Sequence, residues 1–366
     1  MPQTGQMETP SSAAEAPRLS VVVPARNAGL HLARCLEALG RSQRADCEVI
    51  VVDDCSTDNT RQIVERYSAR YLCTPSQMGP AGARNLGARH ARGEVIVFVD
   101  ADVVLPAEAL SLIAGAFESA PELAALFGSY DSAPAWDAFL SQYKNLIHHY
   151  VHQNSNESAA TFWAGCGAIR KSVFEEFGGF NAEKYPRPSI EDIELGLRLA
   201  NSGRKIRLEK RLQVKHLKRW TLRSLLRADV LHRAVPWTNL ILETRNLPRD
   251  LNLTFPARLS AALVGLLALG VALLPFSAAD LLRWTSPREL SVVLAGLVVL
   301  LLGLNWKLYA FFGRKRGWRF AAGAVLAHWF YYFYSGAVFL LLSAAHFLRA
   351  FWMSLRSVAR RSRALE

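Results

Sequence analysis

Asp100 and Asp102 follow Glu94-Val95-Ile96-Val97-Phe98-Val99, the most strand-like run in this 366-residue chain. In an extended segment side chains two apart point the same way, so the two carboxylates are expected together, with Ala101 facing away. Like charges that close call for a positive partner, and an all-oxygen site suits Mg²⁺ or Mn²⁺ carrying a diphosphate. A polar turn closing a buried strand fits the same residues. Two more acidic pairs stand at such junctions: Asp53-Asp54 after Glu48–Val52, and Glu191-Asp192 at the head of a helical stretch that Gly203 ends. Each has a structural reading, since Asp53 and Asp54 can open a turn and Ser189 with Asp192 resembles a capping box.

Regular elements must position these groups. Leu19–Val23 is a buried strand ending at Pro24; Asn27 can cap the next helix, with Leu32, Leu36 and Leu39 on its inner face and Gly40 at its end. Glu48–Val52 and Tyr71–Cys73 are further strands, and Ala83–Ala91 is a helix leading to the central strand. Strand and helix alternating at this spacing predict an α/β fold, a mostly parallel sheet with helices on both faces. Ligands of such sheets bind beyond the strands' C-terminal ends, where Pro24–Asn27, Asp53-Asp54 and Asp100–Asp102 converge. Downstream, Pro106 opens a helix, Leu123–Tyr130 is a strand, Trp136–Gln153 is a helix, and Thr161–Arg170 is an apolar strand with two glycines.

Val22-Val23-Pro24-Ala25-Arg26-Asn27, Val51-Val52-Asp53-Asp54-Cys55-Ser56-Thr57-Asp58, Gly82-Ala83-Arg84-Asn85-Leu86-Gly87 and Val99-Asp100-Ala101-Asp102 occur in that order. Over about residues 18–220 the chain resembles family 2 glycosyltransferases of the GT-A fold. The resemblance implies that Pro24, Ala25, Arg26, Asn27 and Asp54 hold the base and ribose of a UDP- or GDP-sugar. It places Arg84, Asn85, Asp100 and Ala101 near the diphosphate, and Asp102 on Mg²⁺ or Mn²⁺ with Asp100 beside it. Asp192 matches the family's catalytic base, with Glu191 as fallback; Trp163 and Gly165 would lie under the sugar and beside the acceptor. His216-x-x-Arg219-Trp220 stands where processive members carry Gln-x-x-Arg-Trp, which weakens a polymer-extruding reading. His216 could complete the metal site, Arg219 reach a phosphate and Trp220 stack on sugar; Arg219 and Trp220 also fit a membrane surface.

His148 and His152 have the i, i+4 spacing of a zinc pair, but no Glu separates them as in metalloproteases, so packing or contact with acceptor or membrane is the better reading. Five scattered cysteines without Cys-x-x-Cys pairing read as buried thiols in a reducing compartment.

The net charge is +12, and residues 204–250 hold thirteen Lys and Arg against four acids. A basic amphipathic segment over 221–252 fits anionic lipid better than nucleic acid because uncharged stretches follow it. Residues 1–17 read as a disordered leader without a signal peptide, 18–220 as the GT-A domain, and 253–350 as a membrane region with spans near 259–279, 290–312 and 320–348. Lys307 would snorkel. Residues 351–366 form a basic tail, which three crossings would leave outside, against the positive-inside trend; otherwise the third segment does not span simply.

The expectation is a metal-dependent inverting hexosyltransferase in a bacterial inner membrane, multi-pass and facing the cytoplasm. It would serve polysaccharide or glycolipid synthesis of the cell envelope, with a lipid-linked or membrane-proximal hydroxyl as acceptor. A processive polysaccharide synthase and a non-catalytic nucleotide-sugar-binding membrane protein are the rivals.

Overall fold

The computed structural model describes residues 18–42, 44, 46–245, 254–279, 281 and 285–363, with side chains of the last helix described as far as Met353. The expected leader, residues 246–253 of the basic and membrane segments, and the side chains of Arg356, Arg360, Arg361 and Arg363 lie outside the described residues.

Strands β1 (Leu19–Ala25), β2 (Cys47–Asp53), β3 (Arg70–Cys73) and β4 (Val95–Val99) alternate with helices Leu32–Ser42, Thr60–Val64 and Gly79–His90. β5 (Val103–Val104), β6 (Leu123–Tyr130), β7 (Cys166–Arg170) and β8 (Lys205–His216) complete one sheet in the order β3-β2-β1-β4-β7-β6-β8-β5. β3, β2, β1 and β4 run parallel, β7 is antiparallel to both its neighbours, and β8 is parallel to β6. The central strands are apolar because helices cover both faces: Val21, Val23 and Val97 pack on one side, and Val22, Ile96 and Phe98 on the other.

Several local expectations give way to tertiary contacts. Gly40 lies inside its helix, and Asn27 does not cap it: its side-chain oxygen accepts the Thr57 N–H at 2.8 Å, with Asn27 held at φ 48°. Pro106 precedes its helix, Ala109–Ser119, rather than opening it. The 161–170 strand begins only at Cys166, because Thr161–Gly165 crosses the sheet end as a loop. Ser189 caps nothing; Ile190 occupies the N-cap of helix Glu191–Asn201, and the Ser189 N–H donates to Glu191 at 3.0 Å. Cys35, Cys47 and Cys166 are buried thiols, whereas Cys73 is exposed and Cys55 half-buried; all are free.

The basic segment folds as helix Leu222–Leu226, a π-helical segment Arg227–Ala234 and helix Val235–Thr244. Beyond it, Phe255–Ala278, Pro287–Leu304 and Trp318–Met353 are long and apolar enough to cross a membrane. The 290–312 stretch is not one helix: it breaks at Asn305, whose amide donates to Ser260 Oγ at 3.0 Å and to the Leu301 carbonyl at 3.0 Å. Lys307 therefore belongs to a separate helix, Trp306–Arg316, which packs Leu308 and Phe312 against Tyr143 and Leu146 of the head helix Phe139–Asn154.

Candidate active site

At the end of β2 the two aspartates face different tasks. Asp53 accepts the Ser56 N–H at 2.9 Å and the Tyr71 hydroxyl at 2.8 Å. Asp54 is buried and receives the N–H groups of Met78 (2.7 Å) and Gly79 (2.9 Å) and the Thr74 hydroxyl (3.0 Å). Its own N–H donates to the Ala25 carbonyl at 2.8 Å, tying the β2 loop to the β1 loop. Arg26 is exposed at the rim, while Pro24 and Ala25 remain in β1.

The carboxylates after β4 sit in a turn closed by the Val103 N–H on the Asp100 carbonyl at 3.0 Å. Strand alternation therefore does not govern them, and each meets its own partner. Asp100 accepts Arg84 Nη2 at 2.6 Å, and Arg84 Nη1 donates to Glu191 at 2.9 Å. The buried guanidinium is thus a fork between two carboxylates, a geometry that Lys cannot reproduce. Burial opposes the Arg84 charge, but Asp100 and Glu191 hold its pKa above the ordinary value; burial raises that of Asp100 although Arg84 counters it.

Asp102 lies 3.4 Å from His216 Nε2 and takes no other side-chain hydrogen bond among the described residues. Burial resists its ionisation, yet His216, Lys218 and His31 together hold its carboxyl below the usual range. The His216 ring stacks on Tyr130, with centroids 4.4 Å apart at 10°. A carboxylate with unused lone pairs beside an imidazole suits Mn²⁺ or Mg²⁺ when diphosphate and water supply the remaining ligands. No cluster of three or more protein ligands occurs among the described residues, so such an ion would depend on its substrate.

Asp192 stands at the start of its helix with one oxygen on the Ala164 N–H (3.0 Å) and the other on the Ile193 N–H (2.8 Å). Burial and the neighbouring Glu191 charge raise its pKa to about 6 despite these donors and Arg84. The Ala164 N–H comes from the Thr161–Gly165 loop. There Gly165 lies under the Trp163 indole, where an added Cβ would meet ring atoms at 2.5 Å, and its carbonyl accepts the Asp100 N–H at 3.1 Å. Trp163 packs edge-on to Tyr130 at 5.0 Å. Asp100, Asp102, Glu191, Asp192, Arg84, Trp163 and His216 thus share one sheet end.

Other expected residues lie apart. Asn85 spends its amide on the backbone of Phe180, donating at 2.7 Å and accepting at 3.0 Å. Arg219 is exposed over the Trp136 ring at 5.4 Å, and Trp220 is buried with its backbone N–H on Ser141 Oγ at 2.9 Å. The His148 and His152 rings lie 3.9 Å apart, tilted by 32°, within an aromatic group that includes Trp163, and burial drives both pKa values down, so they are packing groups. Two residues escaped the sequence reading. Tyr130, an aromatic at the C-terminal end of β6, bridges His216 and Trp163; His31, in the turn after β1, lies near enough to Asp102 to act on its charge.

Residues 20–178 match the family described as Glycosyl transferase family 2. Over 100 residues, 25% of this chain and 18% of the relative, the chain is 38% identical to a poly(ribitol-phosphate) beta-N-acetylglucosaminyltransferase, TarS, of Staphylococcus aureus. Over 103 residues, 26% of this chain and 33% of the relative, it is 33% identical to the GalNAc(5)-diNAcBac-PP-undecaprenol beta-1,3-glucosyltransferase of Campylobacter jejuni. The match thus spans a third or less of these curated relatives. Among solved structures, the mannosyltransferase PcManGT of Pyrobaculum calidifontis, in complex with GDP-Man and Mn²⁺, aligns with a TM-score of 0.57 over 86% of each chain at 20% identity, a likeness of fold. Residues 20–178 therefore form a family 2 glycosyltransferase domain, and the head has the GT-A fold.

Proposed function

We propose that this protein is a membrane-anchored, inverting glycosyltransferase that moves a sugar from a nucleotide diphosphate donor to a hydroxyl of a lipid-linked or membrane-proximal acceptor. The observation that carries the reading is Asp192: a carboxylate oriented by two backbone N–H groups, with its pKa raised to about 6, held by the same 161–165 loop whose Gly165 carbonyl accepts the Asp100 N–H. A base poised near neutrality accepts a proton without being so basic that it is protonated beforehand. The acceptor oxygen attacks the anomeric carbon as the bond to the diphosphate breaks, and the hydroxyl proton passes to Asp192. Single displacement inverts that carbon.

Asp102 and His216 would hold Mg²⁺ or Mn²⁺, which supplies charge neutralisation for the diphosphate when bound. Arg84 grips Asp100 and Glu191 and fixes them in place, and Asp54 braces the 74–79 loop beside the donor's base and ribose. The three apolar helices support a multi-pass anchor, and the basic segment at 204–250 favours a head on the cytoplasmic face of an inner membrane. UDP- and GDP-sugars are both candidate donors.

A panel of nucleotide sugars offered to the detergent-solubilised protein with bacterial membrane lipids, with and without Mn²⁺ or Mg²⁺, tests the reading. One donor should yield a glycosylated lipid of inverted anomeric configuration by NMR. A product of retained configuration, or no product from any donor, would sink it.

A further inference from the structure

The segment that links the catalytic head to the apolar helices carries more positive than negative charge. Asp229, on the π-helical segment and 4% exposed, accepts Lys144 Nζ at 2.6 Å and the Tyr334 hydroxyl at 2.8 Å. Lys144 comes from the head helix and Tyr334 from the third long apolar helix, so this carboxylate joins head, basic segment and membrane region. Arg233, four residues on, reaches Asp229 only at 3.7 Å and is half exposed. Lys218 lies over the Trp220 ring at 4.3 Å. Neither Arg233 nor Lys218 donates a hydrogen bond to any described residue, while both are close enough to Lys144 to repel its charge. Lys144 and Arg233 therefore share one carboxylate whose oxygens are already engaged, and Lys218 has no carboxylate within ion-pair distance among the described residues.

This surplus borders the reacting groups. Lys218 lies over Trp220, whose ring centroid is 6.4 Å from that of His216, and His216 reaches Asp102 at 3.4 Å. His232, next to Arg233, contacts the Pro188 carbonyl, three residues before Glu191. Helix irregularities of the π type recur at functional sites, and Asp229 and Arg233 both lie on this one. Exposed Leu222 (54%) and Leu231 (61%) stand four residues from Lys218 and two from Arg233 in sequence, so the segment is amphiphilic.

Resting on the transferase reading above, we propose that the acceptor is a lipid bearing a phosphate or diphosphate, and that Arg233 and Lys218 hold this anionic group beside the π-helical segment. Its apolar chain then follows Leu222 and Leu231 toward the membrane helices, which leaves the acceptor hydroxyl near Asp192. Guanidinium and ammonium groups that make no protein hydrogen bond among the described residues fit the oxygens of such a group.

The test is equilibrium binding to the detergent-solubilised full chain, using farnesyl phosphate, farnesol, phosphatidylglycerol and inorganic phosphate as separate probes. Farnesyl phosphate should bind at least about tenfold tighter than each of the other three. Arg233→Gln and Lys218→Gln should each weaken it several-fold, the double variant should bring it to the farnesol level, and Arg233→Lys should restore most of the affinity. Equal binding of farnesol, or a double variant that binds like the parent, would overturn the proposal. So would inorganic phosphate or phosphatidylglycerol binding as well as farnesyl phosphate, since that marks a free-anion site or a headgroup anchor. Nucleotide-sugar binding, measured in parallel, should be unchanged in Arg233→Gln. A parent that binds farnesyl phosphate and no nucleotide sugar would refute the transferase reading while leaving the anionic lipid site standing.

Discussion

Arg84 and Glu191 form a buried ion pair at 2.9 Å across 107 residues of sequence, and the same guanidinium reaches Asp100 at 2.6 Å. One side chain thereby fixes the helix bearing Asp192 relative to the turn bearing Asp102. Arg84→Met leaves two carboxylates facing each other without a counter-charge. The expected cost is about 3–5 kcal/mol, seen as a clear drop in melting temperature in detergent. Arg84→Lys should recover only part of it, because an ammonium cannot bridge both acids. A melting temperature unchanged in Arg84→Met would show that the pair does not brace the site.

The rate should depend on the ionisation of Asp192. Its pKa lies above the ordinary carboxylate value, at about 6, and the base works only when ionised. Turnover under donor saturation should therefore fall as pH drops through about 6 and level off above about 7. Glu191→Gln removes a like charge that raises this pKa, so the inflection should move to lower pH. Initial rates across pH 4.5–8.5 in parent and variant provide the check; an inflection that stays put or moves upward would remove Asp192 from the role.

Asp54→Ala deprives the Met78 and Gly79 N–H groups and the Thr74 hydroxyl of their acceptor. Unpaired buried donors cost about 1–3 kcal/mol, and the loosened 74–79 loop should raise the donor KM more than it lowers kcat. Denaturant titration together with donor-dependence kinetics measures both. A KM equal to the parent's would confine Asp54 to structure.

Gly196 sits outside the cleft, yet an added Cβ would meet the Phe162 nitrogen at 2.2 Å. Gly196→Ala should cost about 1–3 kcal/mol by overpacking. It should also displace the loop whose Ala164 N–H orients Asp192, lowering kcat with little change in donor KM. Wild-type kcat in a destabilised variant would show that the loop does not position the base.

The parallel sheet and the convergence of loops at its end were legible because buried β-runs and turn residues are local signals. Strand ends put Asp100 and Asp102 in the crevice and the family resemblance added Asp192, but neither could assign their partners. Arg84 joins residues 107 positions apart, and Asn85 is committed to Phe180, both consequences of packing. Alternation failed at Asp100–Asp102 because the strand ends at Val99 and a turn begins. Hydropathy ran 290–312 together as one span, since Asn305 breaks the helix through long-range contact with Ser260. The Asp229 node was hidden for the same reason: its partners, Lys144 and Tyr334, are 85 and 105 residues away.

The most direct measurement is acceptor-dependent release of nucleotide diphosphate by the parent, Asp192→Asn and Asp102→Ala, each with and without Mn²⁺. The account predicts metal-stimulated release by the parent. Asp192→Asn should lower it by about 10²- to 10⁴-fold while still binding donor, and Asp102→Ala should lose the metal response. Release by Asp192→Asn at the parental rate would contradict the assignment of the base, and with it the proposed mechanism.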